Sequence, residues 1–214
     1  EAFLANLAGQ SIERVIDRVR AAGVAEDIVL CIPDTGANDP LRGVARRKDC
    51  RLAFQYPCAT GEAKNDLLGA YVTAAERYKA DVVLRVTGDC PLVCPDVIAE
   101  VAACWQPDTD YCSNVIERTW PRGLDAELIS TVALERLLRT SEYWPDMEHV
   151  TLSFRMHPER WQTMSVVNSA DHAELNWSVD DSDDLLRVRR LYGELSDPLA
   201  PYPELFRAWE ALCV

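Results

Sequence analysis

The sequence predicts an α/β fold, a mostly parallel sheet sandwiched by helices. Two observations carry this. Short apolar runs bounded by Gly, Pro and Asp alternate with longer stretches of helical period, as in βαβ units. Three of the runs, DIVLCI at 27–32, RLAFQY at 51–56 and DVVLRV at 81–86, lack strict alternation, which marks strands covered on both faces.

The elements follow in order. Ser11 to Ala22 places Ile12, Val15, Ile16 and Val19 on one helical face, and Gly23 is a stop signal. Strand 27–32 follows, then a helix over Pro40 to Lys48 and strand 51–56. Asp66 to Lys79 is a helix with Leu67, Leu68, Tyr71, Ala75 and Tyr78 inward, leading into strand 81–86. After Pro95 a helix runs to about Cys104. Beyond it the expected strands are 110–115, 126–129, 161–167 and 176–179. The expected helices are 131–139, 148–156, 183–192 and 204–212. No internal repeat or low-complexity segment interrupts them. The 214 residues, 48% hydrophobic, suit one domain over 1–214 with a sizeable core and room for a small subdomain.

Charge and composition exclude several classes. A net charge of −13 repels a phosphate backbone, so nucleic acid is not an expected partner. No stretch approaches the roughly 20 apolar residues of a membrane span. EAFLANLAGQS has no basic region ahead of an apolar run, so no signal peptide is read and a cytoplasmic location is expected. The eight cysteines form no CxxC pair, and reduced, mostly buried thiols are a better reading than structural zinc.

Four segments carry chemistry. In RVTGDCPL (85–92) a buried strand ends at Gly88 and Asp89, and Pro91 stops its continuation. Ligands of parallel sheets bind beyond such strand ends. Asp89 there either caps a turn or holds a hard cation, with even weight. In NWSVDDSDD (176–184) another apolar run ends at Asp180. Asp181, Asp183 and Asp184 belong to a first helical turn, where carboxylates satisfy free N–H groups. Asp89 and Asp180 together suit Mg²⁺, which takes one or two protein carboxylates and fills its shell with water and phosphates. The loop RTWPRGLDAE (118–127) sets a Trp and two arginines between strands. It reads as recognition of an anionic or sugar-like ligand, or as an interface or salt-bridge cluster. EHVT (148–151), followed by Arg155 and His157, offers His149, which by type is more often structural than catalytic.

At these segments the chain resembles the cytidylyltransferase family that includes SpsF-like spore-coat polysaccharide biosynthesis proteins. More distantly it is similar to CMP-sugar-acid synthetases. The matching pieces are RVTGDCPL, YCSNV at 111–115, PRGLDAE at 121–127, EHVT, and NWSVDDSDDLLRV at 176–188. Weaker matches lie at 7–20 and 66–86. The resemblance implies a Rossmann-like nucleotidyltransferase fold with CTP over the sheet's carboxyl edge. It implies Asp89 and Asp180 as Mg²⁺ ligands. Asn114, Arg122, Asp125, Glu127, Glu148 and His149 would line the acceptor pocket, with Arg122 and Arg118 attracting an acidic acceptor. It also implies a homodimer, with a dimerisation or acceptor subdomain near 115–170.

Family members begin with a strand and a QARxxSxRxPGK-type loop that cradles the triphosphate. EAFLANLAGQS matches the segment immediately after that loop, so the natural protein is expected to extend upstream of Glu1. The expected activity, conditional on that loop, is Mg²⁺-dependent transfer of CMP from CTP to a small acidic or sugar-like acceptor. Two alternatives stand beside it. One is a non-catalytic nucleotide- or sugar-binding regulatory protein of the same fold. The other is a nucleotide-sugar glycosyltransferase, a class that usually shows a DxD pair where this chain has GDCP.

Overall fold

A computed structural model describes residues 11–55, 66–141 and 144–212. Tyr56, Cys58, Cys213 and the family-like stretch at 7–10 lie outside the described residues. The helices are α1 (Ser11–Ala21), α2 (Asp39–Arg47), α3 (Leu67–Tyr78), α4 (Pro95–Ala103), α5 (Thr131–Thr140), α6 (Trp144–His149), α7 (Leu152–Met156), α8 (Ser182–Glu194) and α9 (Tyr202–Leu212). The strands are β1 (Val29–Pro33), β2 (Arg51–Gln55), β3 (Val82–Arg85), β4 (Tyr111–Ser113), β5 (Glu127–Ser130) and β6 (Thr163–Ser165).

The α/β expectation holds. β1 and β2 pair in parallel, and a second sheet has the order β3-β5-β4-β6. In that sheet β5 runs antiparallel to both neighbours while β4 and β6 are parallel. The reversal follows from the connection between β4 and β5. The chain leaves the sheet at Asn114, forms the 118–126 loop, and returns directly beside β4 without a helical crossover, so that β5 pairs with it in the antiparallel sense.

Side chains alternate across this sheet as the period of two demands. Tyr111 and Ile129 are register partners and face a cluster with Leu68, Val72, Leu134, Leu137 and Phe154 from α3, α5 and α7. Cys112 and Leu128, the next pair, face Val15, Val19, Ile98 and Val101 from α1 and α4. Helices therefore cover both faces. A further cluster joins Leu92, Trp120, Leu124 and Trp177 to α8 and α9. Among the described residues no helix is long and apolar enough to cross a membrane.

Local chemistry sets the ends of several helices. The Asp66 carboxylate accepts from Gly69 N at 2.7 Å to cap α3, and Ser130 Oγ accepts from Ala133 N at 3.1 Å to cap α5. Two expectations change in shape. The helix expected over 148–156 breaks at Val150, which is fully buried with φ +45. There Thr151 N–H turns back to the His149 carbonyl, a tight turn that helical periodicity does not reveal. The strand expected at 176–179 is reduced to one parallel bridge, Arg122 to Asn176. Its apolar residues Trp177 and Val179 are instead buried in the cluster under α8 and α9.

Arg18 organises the region beneath the β3 turn. It lies on the apolar stripe of α1 and is fully buried. Nε donates to Val93 O at 2.6 Å, Nη2 to Ala200 O at 2.7 Å, and Nη1 to Pro198 O. One guanidinium thus ties α1, the segment before α4 and the connection into α9, satisfying three carbonyls outside regular structure. The described cysteines carry no disulfide, with Cys90, Cys94 and Cys112 buried and Cys31, Cys50 and Cys104 half-buried.

Candidate active site at the strand-end aspartates

β3 ends in a tight turn. Cys90 N–H donates to Thr87 O at 3.3 Å and Val93 N–H to Cys90 O at 3.1 Å. Gly88 lies against α1: a Cβ there would sit 3.2 Å from Ile12 Cδ1. Asp89, at the tip of this turn, is half-buried. Its carbonyl accepts from Val179 N–H at 2.8 Å. That backbone bond holds the segment carrying Asp180, the next residue, against the turn that carries Asp89.

Around Asp180 the acids divide their work as expected. Asp181 caps α8, accepting from Asp183 N and Asp184 N at 2.9 Å each. Asp184 closes the capping box, its Oδ2 accepting from Asp181 N at 3.3 Å and Asp180 N at 2.9 Å. Burial works against the Asp184 carboxylate, but these N–H groups and Arg187 outweigh it and hold its pKa below the ordinary value. The Asp180 carboxylate itself is exposed. Its neighbour is Ser178 Oγ at 3.2 Å, a hydroxyl that also lies 2.7 Å from Asn176 Oδ1. The Ser178 hydroxyl is shared between these two acceptors, and Asp180 Oδ1 accepts no hydrogen bond among the described residues.

The 118–127 loop forms the adjoining wall. Arg118 and Asp125 make a two-pronged ion pair at 2.8 Å per prong. That hydrogen bonding raises the Arg118 pKa. The Cys90 thiol is pushed well above its ordinary value by burial first, then by the Asp89 and Asp125 carboxylates. Asp89 Oδ1 lies 3.5 Å from that sulfur. The loop is pinned to the Asp180 segment: Arg122 N donates to Leu175 O at 2.9 Å, and Trp177 N to Arg122 O at 2.7 Å. The Arg122 side chain is exposed, without a hydrogen bond or ion pair among the described residues. Trp120 is 4% exposed and packs edge-on against Tyr202. It is core, not a ligand platform.

Gly123 makes this closeness possible. Its φ is +94, and a Cβ would fall 2.5 Å from the Trp177 carbonyl carbon and 2.6 Å from Ser178 N. Both are backbone atoms, which cannot swing aside. Gly123→Ala is expected to cost about 2–4 kcal/mol in urea unfolding, from the unfavourable φ and the forced separation of the two segments. A change under about 0.5 kcal/mol, within the range of an ordinary surface substitution, would refute that account.

Two further candidates are fully enclosed. Asn114 is 0% exposed, its amide donating to Leu124 O at 2.8 Å and its carbonyl accepting from Ala126 N at 2.9 Å. It holds the loop's return to β5. Glu127 is 3% exposed, with Oε1 accepting from Arg85 and Oε2 from the Tyr111 hydroxyl. Burial alone would lower the Arg85 pKa, but Glu127 raises it. Tyr71, also close to Arg85, is pushed up to about 12 by burial. Glu148 and His149 are exposed at the end of α6 and make no side-chain hydrogen bond to the other candidates among the described residues.

Sequence reasoning passes over Arg85 and Cys90, although both lie in the segment that carries Asp89. Their signals are a charged residue at the end of an apolar strand, and a cysteine next to the strand-end carboxylate. Among the described residues no three or more His, Cys, Asp or Glu side chains converge as a metal-holding group. The donor set is two hard carboxylates with open surroundings, which fits a Mg²⁺ ion completed by water and phosphate oxygens.

Known proteins share this architecture. A solved cytidylyltransferase from Leptospira borgpetersenii serovar Hardjo-bovis (strain JB197) superposes with a TM-score of 0.86, covering 94% of this chain and 83% of that one at 20% identity. A solved CMP:2-keto-3-deoxy-manno-octonic acid synthetase complexed with CTP gives 0.55, covering 86% and 87% at 13% identity. At such identities the likeness is one of fold. An uncharacterized protein of Methanocaldococcus jannaschii, MJ1063, is 32% identical over 92 residues, which is 42% of this chain and 36% of that protein. The chain therefore spans about a third of the length of that curated relative. The MobA-like NTP transferase domain matches residues 3–153, a stretch that includes β1 to β5 and the Asp89 turn, and the chain belongs to that family.

Proposed function

We propose that the protein transfers CMP from CTP to a small acidic or sugar-like acceptor and releases pyrophosphate, with Mg²⁺ held by Asp89 and Asp180. The observation that carries the proposal is the Val179 N–H to Asp89 carbonyl bond at 2.8 Å. It joins the backbone of the turn that carries Asp89 to the segment that carries Asp180, in a nucleotidyltransferase-type domain. CTP is favoured as donor by the fold shared with a cytidylyltransferase and with a synthetase solved with CTP.

An acceptor oxygen attacks the α-phosphorus of CTP. A new P–O bond forms, the bond from that phosphorus to the bridging oxygen breaks, and its electron pair leaves with pyrophosphate. Bound at the two aspartates, Mg²⁺ would supply charge neutralisation of the triphosphate and of the leaving group. The chain's own part is positioning. The capping box fixes the backbone at Asp180, and the β3 turn fixes Asp89. Arg122, which has no ion pair among the described residues, would offer its charge to an acidic acceptor, while Arg118 is engaged by Asp125. In a protein of net charge −13, such a local cation and a divalent ion are what make an anionic acceptor and a triphosphate approachable. Homodimerisation and a cytoplasmic location belong to the same reading.

The deciding experiment is a Mg²⁺-dependent pyrophosphate-release assay on the full-length protein. CTP is compared with ATP, GTP and UTP against sugar acids, aminosugars and phosphonates. CTP is expected to be the preferred donor, with at least one acidic acceptor. CTP binding in calorimetry without turnover would select the non-catalytic reading. Consumption of a nucleotide-sugar with no pyrophosphate would select a glycosyltransferase.

A further inference from the structure

We infer that Thr87 and Cys90 form a positioning relay for Asp89, an inference that rests on the metal reading above. Cys90 Sγ lies 3.1 Å from Thr87 Oγ1 and 3.5 Å from Asp89 Oδ1. All three side chains belong to the one turn that ends β3. A carboxylate only accepts, so the thiol proton must point to Asp89. The single S–H is then used, and the sulfur can only accept from Thr87. The order is fixed: the Thr87 hydroxyl donates to Cys90, and the Cys90 thiol donates to Asp89 Oδ1.

The plain alternative is that Cys90 is a small apolar plug. It is 3% exposed and belongs to the cluster with Val93, Ile98, Cys112 and Leu128. A plug would be indifferent to its polar neighbours. This sulfur instead faces two polar atoms of its own turn.

The relay has a chemical consequence. With Oδ1 held by a weak donor, the Asp89 carboxylate would be kept oriented for a hard cation, as outer-shell hydrogen bonds do for ligating carboxylates. A neutral thiol is a soft group and does not compete for Mg²⁺. Thr87 and Cys90 are positioning residues in this scheme, since both act through the Asp89 carboxylate.

The test measures Mn²⁺·CTP binding to the full-length protein through the enhancement of water-proton relaxation. Metal-free CTP binding is followed by calorimetry in EDTA. Cys90→Ala and Thr87→Val are expected to weaken Mn²⁺·CTP binding about tenfold, while metal-free CTP binding stays within about twofold. Cys90→Ser and Thr87→Ser, which keep a donor, are expected to remain within about threefold of wild type. Wild-type Mn²⁺·CTP binding in Cys90→Ala and Thr87→Val would overturn the relay. So would an equal loss of metal-free CTP binding, which marks a packing role. Asp89→Asn serves as the reference. If it binds Mn²⁺·CTP as wild type does, the aspartate reading falls and the relay falls with it.

Discussion

Asp89→Asn and Asp180→Asn are each expected to lower turnover about 10³-fold, equivalent to roughly 4 kcal/mol of lost transition-state stabilisation. The substitution is nearly isosteric and removes only the charge that would hold the ion. The fold should tolerate it well. The structural duty of Asp89 is carried by its carbonyl, which accepts from Val179 N–H and is kept in asparagine. Asp180 is exposed, and the N–H bonds that cap α8 are accepted by Asp181 and Asp184 instead. In a chain of net charge −13, losing one carboxylate relieves self-repulsion. The unfolding midpoint in urea should therefore stay within the ordinary surface range of about 0.5 kcal/mol. Asp183→Asn is the matched control, an acid of the same segment without a capping acceptor role, and should keep wild-type turnover. Near-normal pyrophosphate release by either of the first two variants would refute the metal assignment.

The aspartates are legible in sequence for a physical reason. A buried strand is a run of apolar residues, and an acid at its end cannot be core, so 85–89 and 176–180 advertise themselves. The same logic overreaches at 176–179. An apolar run need not pair as a strand when α8 and α9 can bury it, and Trp177 and Val179 are core of that cluster. Trp120 misleads in the opposite sense. A tryptophan in a polar loop suggests a ligand platform, but Tyr202, some 80 residues away in sequence, covers it. Val150 is invisible because a β-branched residue with positive φ has no local signature. Arg18 is hidden for a related reason. Its partners are carbonyls at 93, 198 and 200, and backbone acceptors leave no trace in side-chain patterns. Local periodicity thus reveals the elements and the strand ends. Tertiary partners, remote in sequence, determine which polar residues are free to act.

The Arg85–Glu127 pair shows how far that distinction matters, and it yields the largest expected change in stability. Arg85 and Glu127 are register partners on β3 and β5, and their side chains are 16% and 4% exposed. Glu127 meets Arg85 with one oxygen and the Tyr111 hydroxyl on β4 with the other. Glu127→Ala removes the counter-charge from a buried guanidinium and strands a buried hydroxyl together. The expected loss is about 3–5 kcal/mol, the range for breaking a buried pair from one side. Arg85 Nε is already buried without a partner, so this guanidinium has little hydrogen bonding to fall back on. Glu127→Gln keeps the shape and both acceptor directions of one oxygen but not the charge, and should lose less than alanine. The double variant Arg85→Met/Glu127→Leu removes both charges and should recover most of the deficit, since apolar replacement of a buried pair is often neutral. Urea unfolding of the three variants checks the scheme. A loss below about 1 kcal/mol for Glu127→Ala, the level of an exposed ion pair, would mean that the pair is hydrated. A double variant no better than Glu127→Ala would mean that the cost lies in packing instead of charge. Because β3 leads directly into the turn that carries Asp89, the pair also anchors the strand that leads to the proposed metal ligand. Its loss should lower the affinity for Mn²⁺·CTP even in the fraction that remains folded.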